Sequence, residues 1–129
     1  MLLGLSQLEN KEFEWWGFVK GKVQELSDAG FTALWLPPVC KAANGVSMGY
    51  DPYDFYDLGQ IDQKGSVKTW FGSKTALEEL IEEAHAHNMQ VYADMVLNHT
   101  SDADAEELNE YDGKKRWTKY DVGILAGLF

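Results

Sequence analysis

The segment from Val91 to His99 constrains the fold of this chain more than any other. It reads VYADMVLNH, and its alternation of small and branched apolar residues is typical of a buried parallel strand. The predicted strand ends abruptly at Asn98 and His99. An amide and an imidazole at this position are suited to holding a cation and to hydrogen-bonding a hydroxylated ligand. In α/β barrels, ligands bind at this end of the strands.

A second apolar run upstream predicts another strand. Residues 31–38 read FTALWLPP, and the run is closed by Pro37 and Pro38, which cannot continue a ladder. Apolar residues at helical spacing predict a helix over residues 18–29, and Gly30 is its expected stop.

A longer helix is predicted between the two strands, over residues 73–87. Ser73 or Thr75 is the expected cap, and the apolar face and the run of glutamates on the other face follow the helical period. Strands and helices therefore alternate along the chain in the way that βαβ units require.

The loop between the strands carries a second distinctive pattern. Residues 48–59 read MGYDPYDFYDLG, followed by QKGSVKT at 63–69 and FGS at 71–73. Together with ADMVLNH at 93–99, these motifs resemble the N-terminal part of the α-amylase family of starch-degrading glycoside hydrolases. The resemblance extends from about Phe13 to about Asp121.

The resemblance implies a fold of the α/β class. We expect a partial (β/α)8 barrel with about the first three strands and two helices, ending in the excursion after the third strand. Residues 13–99 correspond to the N-terminal part of the catalytic barrel, with residues 13–16 (FEWW) at the end of its first strand. Residues 100–129 correspond to the start of the excursion, with an atypical tail. A complete barrel needs about 250 residues, so a chain of 129 is at most half of one.

The resemblance also implies an activity and a partner. Members of the family are endo-acting, retaining enzymes that cleave internal α-1,4-glucosidic bonds of starch or glycogen. Their catalytic carboxylates follow the fourth, fifth and seventh strands, and their nucleophile lies in a Gly-x-Arg-x-Asp-x-x-Lys-His motif. The only arginine here, Arg116, lies in KKRW at 114–117 and does not match that motif. We therefore expect no catalytic residue in this chain, an α-glucan as its partner, and no activity of the chain by itself. Two alternatives remain: a non-catalytic carbohydrate-binding remnant, and a minimal enzyme with a rearranged site.

Four residues receive roles from the resemblance. Tyr50 would stack on a glucose ring and His99 would hydrogen-bond the sugar, whereas Asp94 would support the arginine beside the nucleophile. Asn98 would be a calcium ligand. Because calcium takes six to eight oxygens, we expect weak or absent calcium binding by this chain. The structural alternatives are a strand-end His99 bonded to nearby backbone, and a Tyr50 that only packs. The other loop aromatic residues, Tyr53, Phe55 and Tyr56, are expected to pack the loop against the barrel.

Composition excludes other partners. A formal net charge of −10 argues against nucleic acid, whose phosphates need a basic surface. No stretch approaches the length of a membrane span, so no membrane partner is expected. The start of the chain lacks the basic region of a signal peptide, and localisation stays open because the family is often secreted. An open partial barrel exposes strand edges, which predicts self-association.

Overall fold

A pair of parallel strands forms the centre of the computed structural model, which describes residues 14–123. In chain order its elements are α1 (Trp15–Lys20), α2 (Val23–Asp28), β1 (Ala33–Leu36), β2 (Lys41–Ala42), β3 (Pro52–Asp54), α3 (Lys74–Ala86), β4 (Gln90–Ala93), β5 (Ala105–Asn109) and β6 (Lys114–Lys119). Strands β1 and β4 pair in parallel, with Leu34 opposite Val91. Parallel neighbours need a long crossover, and α3 lies within that crossover. The described part of the chain is thus α/β, as expected.

Helix α3 confirms its prediction. Ser73 caps it, because its hydroxyl oxygen accepts the backbone N–H of Ala76 at 3.2 Å. Leu77, Leu80 and Ala84 are buried on the helix face that packs into the core. The core also takes Leu34 and Leu36 from β1, so the helix covers one face of the parallel pair.

The N-terminal part of the described chain differs from the prediction. Trp15 and Trp16 begin helix α1, so their assignment to the end of a strand is wrong, and Phe13 lies outside the described residues. Trp16 is fully buried, and its backbone N–H donates to Phe71 O at 2.9 Å, which fixes the helix start against the core. The predicted helix over 18–29 is two short helices, and the break falls at Gly21, a residue with low helix propensity.

Strand β4 is shorter than its sequence pattern predicts. It ends at Ala93, and residues 94–99 belong to no strand. The partner strand explains this end, because β1 stops at Leu36 and is followed by two prolines. The last contact of the pair is a hydrogen bond from Asp94 N to Leu36 O at 2.9 Å. Asn98 and His99 therefore lie beyond the sheet on an exposed segment.

Two antiparallel hairpins were absent from the prediction. Strands β2 and β3 pair within the long loop that joins β1 to α3, residues 37–73, and β5 and β6 pair within residues 100–123. Every residue of β6 is exposed, so this second hairpin stands at the surface. The described residues therefore hold two parallel strands and two hairpins rather than three parallel strands. No helix within residues 14–123 is long and apolar enough to span a bilayer.

Candidate functional site

The loop before β3 presents Tyr50, and a tight backbone turn fixes its position. Gly49 adopts φ +91°, and a side-chain carbon there would lie 2.8 Å from Pro38 Cβ. Glycine avoids both the strain and the collision. The Gly49 N–H donates to Ser47 Oγ at 3.1 Å, and the Ser47 hydroxyl donates to Asp51. The loop thereby leaves the Tyr50 side chain 47% exposed.

Three of the four predicted site residues meet at this loop. The Tyr50 hydroxyl donates to Asp94 Oδ2 at 3.0 Å. The Tyr50 carbonyl oxygen lies 3.0 Å from His99 Nε2. Because a carbonyl oxygen only accepts, His99 Nε2 carries a proton in this contact. Residues that are 44 and 49 positions from Tyr50 in the sequence thus form one cluster with it.

The cluster combines groups suited to a hydroxylated ligand. A tyrosine ring offers an apolar face, and the imidazole and carboxylate offer polar atoms at its edge. Partial burial raises the pKa of Tyr50, and the hydrogen bond to Asp94 and its negative charge raise it further, so the phenol stays a donor at neutral pH. The His99 contact is a backbone contact, as in the structural alternative, yet its partner is Tyr50 itself.

Asn98 is exposed, and it takes part in neither of the two hydrogen bonds that define this cluster. Within residues 14–123, no group of three or more histidine, cysteine or acidic side chains is close enough to hold a metal ion. The acidic segment after His99 serves another purpose. Asp102 Oδ2 and Asp104 Oδ1 each lie 3.0 Å from Lys64 Nζ, so these carboxylates neutralise a lysine.

A buried ionic network in the long loop was missed by the sequence reasoning. The side chains of Lys41 and Asp57 are 1% and 0% exposed, and Lys41 Nζ lies 3.6 Å from Asp57 Oδ2. The ammonium also donates to the carbonyl oxygens of Ser66 and Val67, at 2.7 and 2.6 Å. Burial lowers the pKa of Lys41, and the Asp57 charge opposes that shift. The available signal was a lone lysine inside the short apolar run at 39–43, VCKAA.

The same network engages two loop carboxylates, Asp54 and Asp57, that would otherwise be candidates for catalysis. Asp57 Oδ1 accepts the backbone N–H groups of Gly59 and Gln60 at 2.8 and 2.9 Å. Gln63 Nε2 donates to both Asp54 and Asp57, each at 2.9 Å. These two aspartates hold the turn and face inward, since they are 1% and 0% exposed.

The loop aromatic residues divide differently from the prediction. Tyr53 is buried, and its hydroxyl donates to Asp104 Oδ2 at 2.6 Å. Phe55 is half-buried, but Tyr56 is 64% exposed, so its expected packing role is wrong. Tyr50 and Tyr56 are thus both open to ligand, and Tyr50 alone is joined to Asp94 and His99.

Comparison with known proteins identifies a family for this chain. The model of the α-amylase catalytic domain matches residues 10–121. The α-amylase of Geobacillus stearothermophilus is 40% identical over 132 residues, which cover 84% of this chain and 24% of that protein. The cytoplasmic α-amylase of Escherichia coli strain K12 is 40% identical over 133 residues, covering 88% of this chain and 26% of that protein. The chain thus spans about a quarter of the length of these relatives.

Solved structures agree with these sequence relatives. The α-amylase of Geobacillus thermoleovorans in complex with acarbose is 34% identical with a TM-score of 0.55, over 68% of this chain and 18% of that one. An alternansucrase in complex with isomaltotriose aligns with a TM-score of 0.64 at 25% identity, over 73% of this chain and 9% of that one. Because the family model covers most of the sequence and the relatives reach 40% identity, the chain belongs to the α-amylase family of glycoside hydrolases.

Proposed function

We propose that this chain binds an α-1,4-glucan at the cluster of Tyr50, Asp94 and His99, as part of the barrel of an endo-acting, retaining α-amylase. The observation that carries the proposal is the pair of 3.0 Å contacts that join Tyr50 to Asp94 and to His99. A glucose ring would stack on the half-exposed Tyr50, and His99 would meet its hydroxyls, while Asp94 would keep a supporting role by holding the Tyr50 hydroxyl. In this reading β1 and β4 are neighbouring strands of a (β/α)8 barrel.

The 129 residues by themselves are proposed to bind without hydrolysing. Retaining hydrolysis needs two carboxyl groups about 5–5.5 Å apart on either side of the scissile bond. Asp54 and Asp57 are buried in the turn network, Asp51 accepts from Ser47, and Asp94 accepts from Tyr50. Each candidate carboxylate thus already has a structural partner. A minimal enzyme with a rearranged site is the competing function, and it would need one of these bonds to break.

Reducing-end release from soluble starch tests the division between binding and catalysis. The purified 129-residue chain is assayed with calcium and with chelator, beside His99→Ala. The expected result is no release above a blank without protein. Reproducible release that His99→Ala abolishes would establish the minimal enzyme and overturn the proposed lack of activity.

Binding of maltotriose, measured by isothermal titration calorimetry, tests the cluster itself. Tyr50→Ala removes the stacking face and is expected to weaken binding about tenfold, whereas Tyr50→Phe keeps most of the affinity. Tyr56→Ala is the matched control, because Tyr56 is an exposed tyrosine of the same loop. His99→Ala is expected to weaken binding about two- to tenfold, the effect of one lost hydrogen bond, with the exposed His85→Ala as its control. Equal affinity for Tyr50→Ala and Tyr56→Ala would refute the proposed site.

Two further properties belong to the proposal. Calcium affinity is weak, because Asn98 offers one amide oxygen and the nearby Asp102 and Asp104 are paired with Lys64. A melting temperature that differs by less than about 1 °C between calcium and chelator is the expected result, and a rise of several degrees would contradict it.

Self-association is the second property, because β1 and β4 form a sheet of only two strands within residues 14–123.

A further inference from the structure

An asparagine followed by glycine lies in the turn between β2 and β3. The first of the two, Asn44, is exposed, and its side-chain oxygen Oδ1 accepts the backbone N–H of Val46 at 3.0 Å. Its carbonyl oxygen accepts the N–H of Ser47 at 3.3 Å. A side-chain oxygen bonded to the backbone two residues on bends the carboxamide back over the turn's own backbone.

Packing explains why glycine follows this asparagine. A Cβ at Gly45 would lie 3.1 Å from Ser66 Oγ and 3.3 Å from Ser66 Cβ, which is tighter than ordinary contact. Glycine avoids this crowding, and its missing side chain also leaves its backbone nitrogen unshielded. No acceptor within residues 14–123 meets the Gly45 N–H. This nitrogen is therefore free to react with the neighbouring carboxamide.

The reaction is loss of ammonia through a cyclic imide. The Gly45 nitrogen gives up its proton and attacks Asn44 Cγ, and the Cγ–Nδ2 bond breaks as the new C–N bond forms. The carboxamide nitrogen takes up that proton and leaves as ammonia. Negative charge develops on Oδ1 during the attack, and the Val46 N–H already donates to this oxygen. Water then opens the imide at either carbonyl, which yields aspartate or isoaspartate.

We propose that Asn44 is a site of spontaneous deamidation, and that its conversion to isoaspartate loosens the turn that leads to Tyr50. In isoaspartate the main chain runs through the former side chain, so the backbone gains a carbon and both oxygens that accept from Val46 and Ser47 are displaced. Ser47 passes the change on, because its Oγ accepts the Gly49 N–H at 3.1 Å. This chemistry does not depend on glucan binding.

Tryptic peptide mapping by mass spectrometry tests the proposed site, after incubation of the 129-residue chain at mildly alkaline pH. The peptide 42–64 contains Asn44 as its one asparagine, and the peptide 75–114 contains Asn98. Asn98 is the matched control, because it is exposed but precedes His99, whose side chain shields the backbone nitrogen. We expect Asn44 to deamidate about tenfold faster than Asn98. A rate at Asn44 no faster than that at Asn98 would overturn the proposal.

Two variants test the consequence for the turn, each compared before and after the same incubation. Asn44→Gln keeps an amide but would have to close a larger ring, so it should release no ammonia from this site. Asn44→Asp carries the product's negative charge on the original backbone.

Hydrogen exchange of the Ser47 and Gly49 amides is the readout for these variants. Exchange should quicken in the incubated wild-type chain and stay unchanged in Asn44→Gln and Asn44→Asp. Unchanged exchange in a wild-type chain that has formed isoaspartate would refute the loosened turn. Exchange in fresh Asn44→Asp as fast as in the incubated wild-type chain would refute the role of the lengthened backbone, because charge alone would then be enough.

Discussion

At the scale of single residues, Lys41 is the side chain whose loss should cost most. It is buried beside Asp57, and its ammonium donates hydrogen bonds to two backbone carbonyl oxygens. Lys41→Met leaves a buried carboxylate without its cation and two carbonyls without a donor. We expect a loss of about 3–5 kcal/mol in the free energy of unfolding, measured by urea denaturation.

The control for this loss is Lys20→Met. Lys20 forms an exposed pair with Glu79, whose side chains are 39% and 53% exposed, so its removal should cost less than about 1 kcal/mol. The double variant Lys41→Met with Asp57→Asn should recover part of the loss, because the Asp57 charge is then no longer buried without its cation. If Lys41→Met costs no more than Lys20→Met, the network does not stabilise the fold.

The sequence motifs pointed to residues that lie together in the structure, and the roles given to these residues stay predictions. Tyr50, Asp94 and His99 were named from the loop and strand motifs, and the structure brings them together. The burial of Lys41 could not be predicted from the residue type, because its partners lie up to 27 positions away and meet it only in the folded loop. Lysine is almost never fully buried unless it is paired.

At the scale of elements, helix α3 was predicted well because its signals are local. The strands were predicted less well because their lengths depend on the partners with which they pair. Helix α3 has its own cap and its own apolar period, so Ser73 and the buried leucines could be placed without knowing the rest of the fold. The length of β4 depends instead on where β1 ends, at Leu36 before two prolines. The β5–β6 hairpin is exposed and lacks an apolar alternation, so the Asp112–Gly113 pair at its turn was the signal available for it.

The contacts of Asp104, at the base of the β5–β6 hairpin, with Tyr53 and Lys64 of the long loop predict that the stability of the fold depends on pH. Hydrogen bonds from Asp121 N–H and the Tyr53 hydroxyl, with the Lys64 charge, lower the pKa of Asp104 from 3.8 to about 2. Because the folded pKa is depressed, the stabilisation is fully present above pH 3.8 and is lost as the pH falls through about 2. Asp104→Asn should therefore lose stability at neutral pH and show a shallower decline between pH 4 and 2.

Thermal unfolding at a series of pH values measures this difference. Asp112→Asn is the matched control. Asp112 pairs with Arg116 at the exposed end of the same hairpin, so this ion pair does not link the hairpin to the long loop. Hydrogen exchange of the Asp104 and Asp121 amides, at the base of the hairpin, should quicken in Asp104→Asn and stay unchanged in the control. If the melting temperature falls equally steeply between pH 4 and 2 in the wild-type chain and in Asp104→Asn, the stabilising role given to ionised Asp104 is contradicted.

At the scale of the whole molecule, one face of the parallel pair has no cover within residues 14–123. Trp35 and Tyr92 lie opposite each other in the register and are 53% and 56% exposed, whereas Leu34 and Leu36 point to the core. A two-stranded sheet also leaves a hydrogen-bonding edge on each strand. Exposed aromatic surface beside open strand edges favours association with a second copy.

Sedimentation velocity over a range of roughly 1–100 µM is expected to show a dimer or larger species that grows with concentration. Trp35→Lys places a charge on the uncovered face and should shift the chain toward monomer, because burying an unpaired charge opposes association. Tyr111→Lys at the hairpin tip is the control, since that residue is fully exposed and its hairpin does not pair with β1 or β4. A chain that stays monomeric across the range, or equal association of Trp35→Lys and the wild-type chain, would show that this face does not drive self-association.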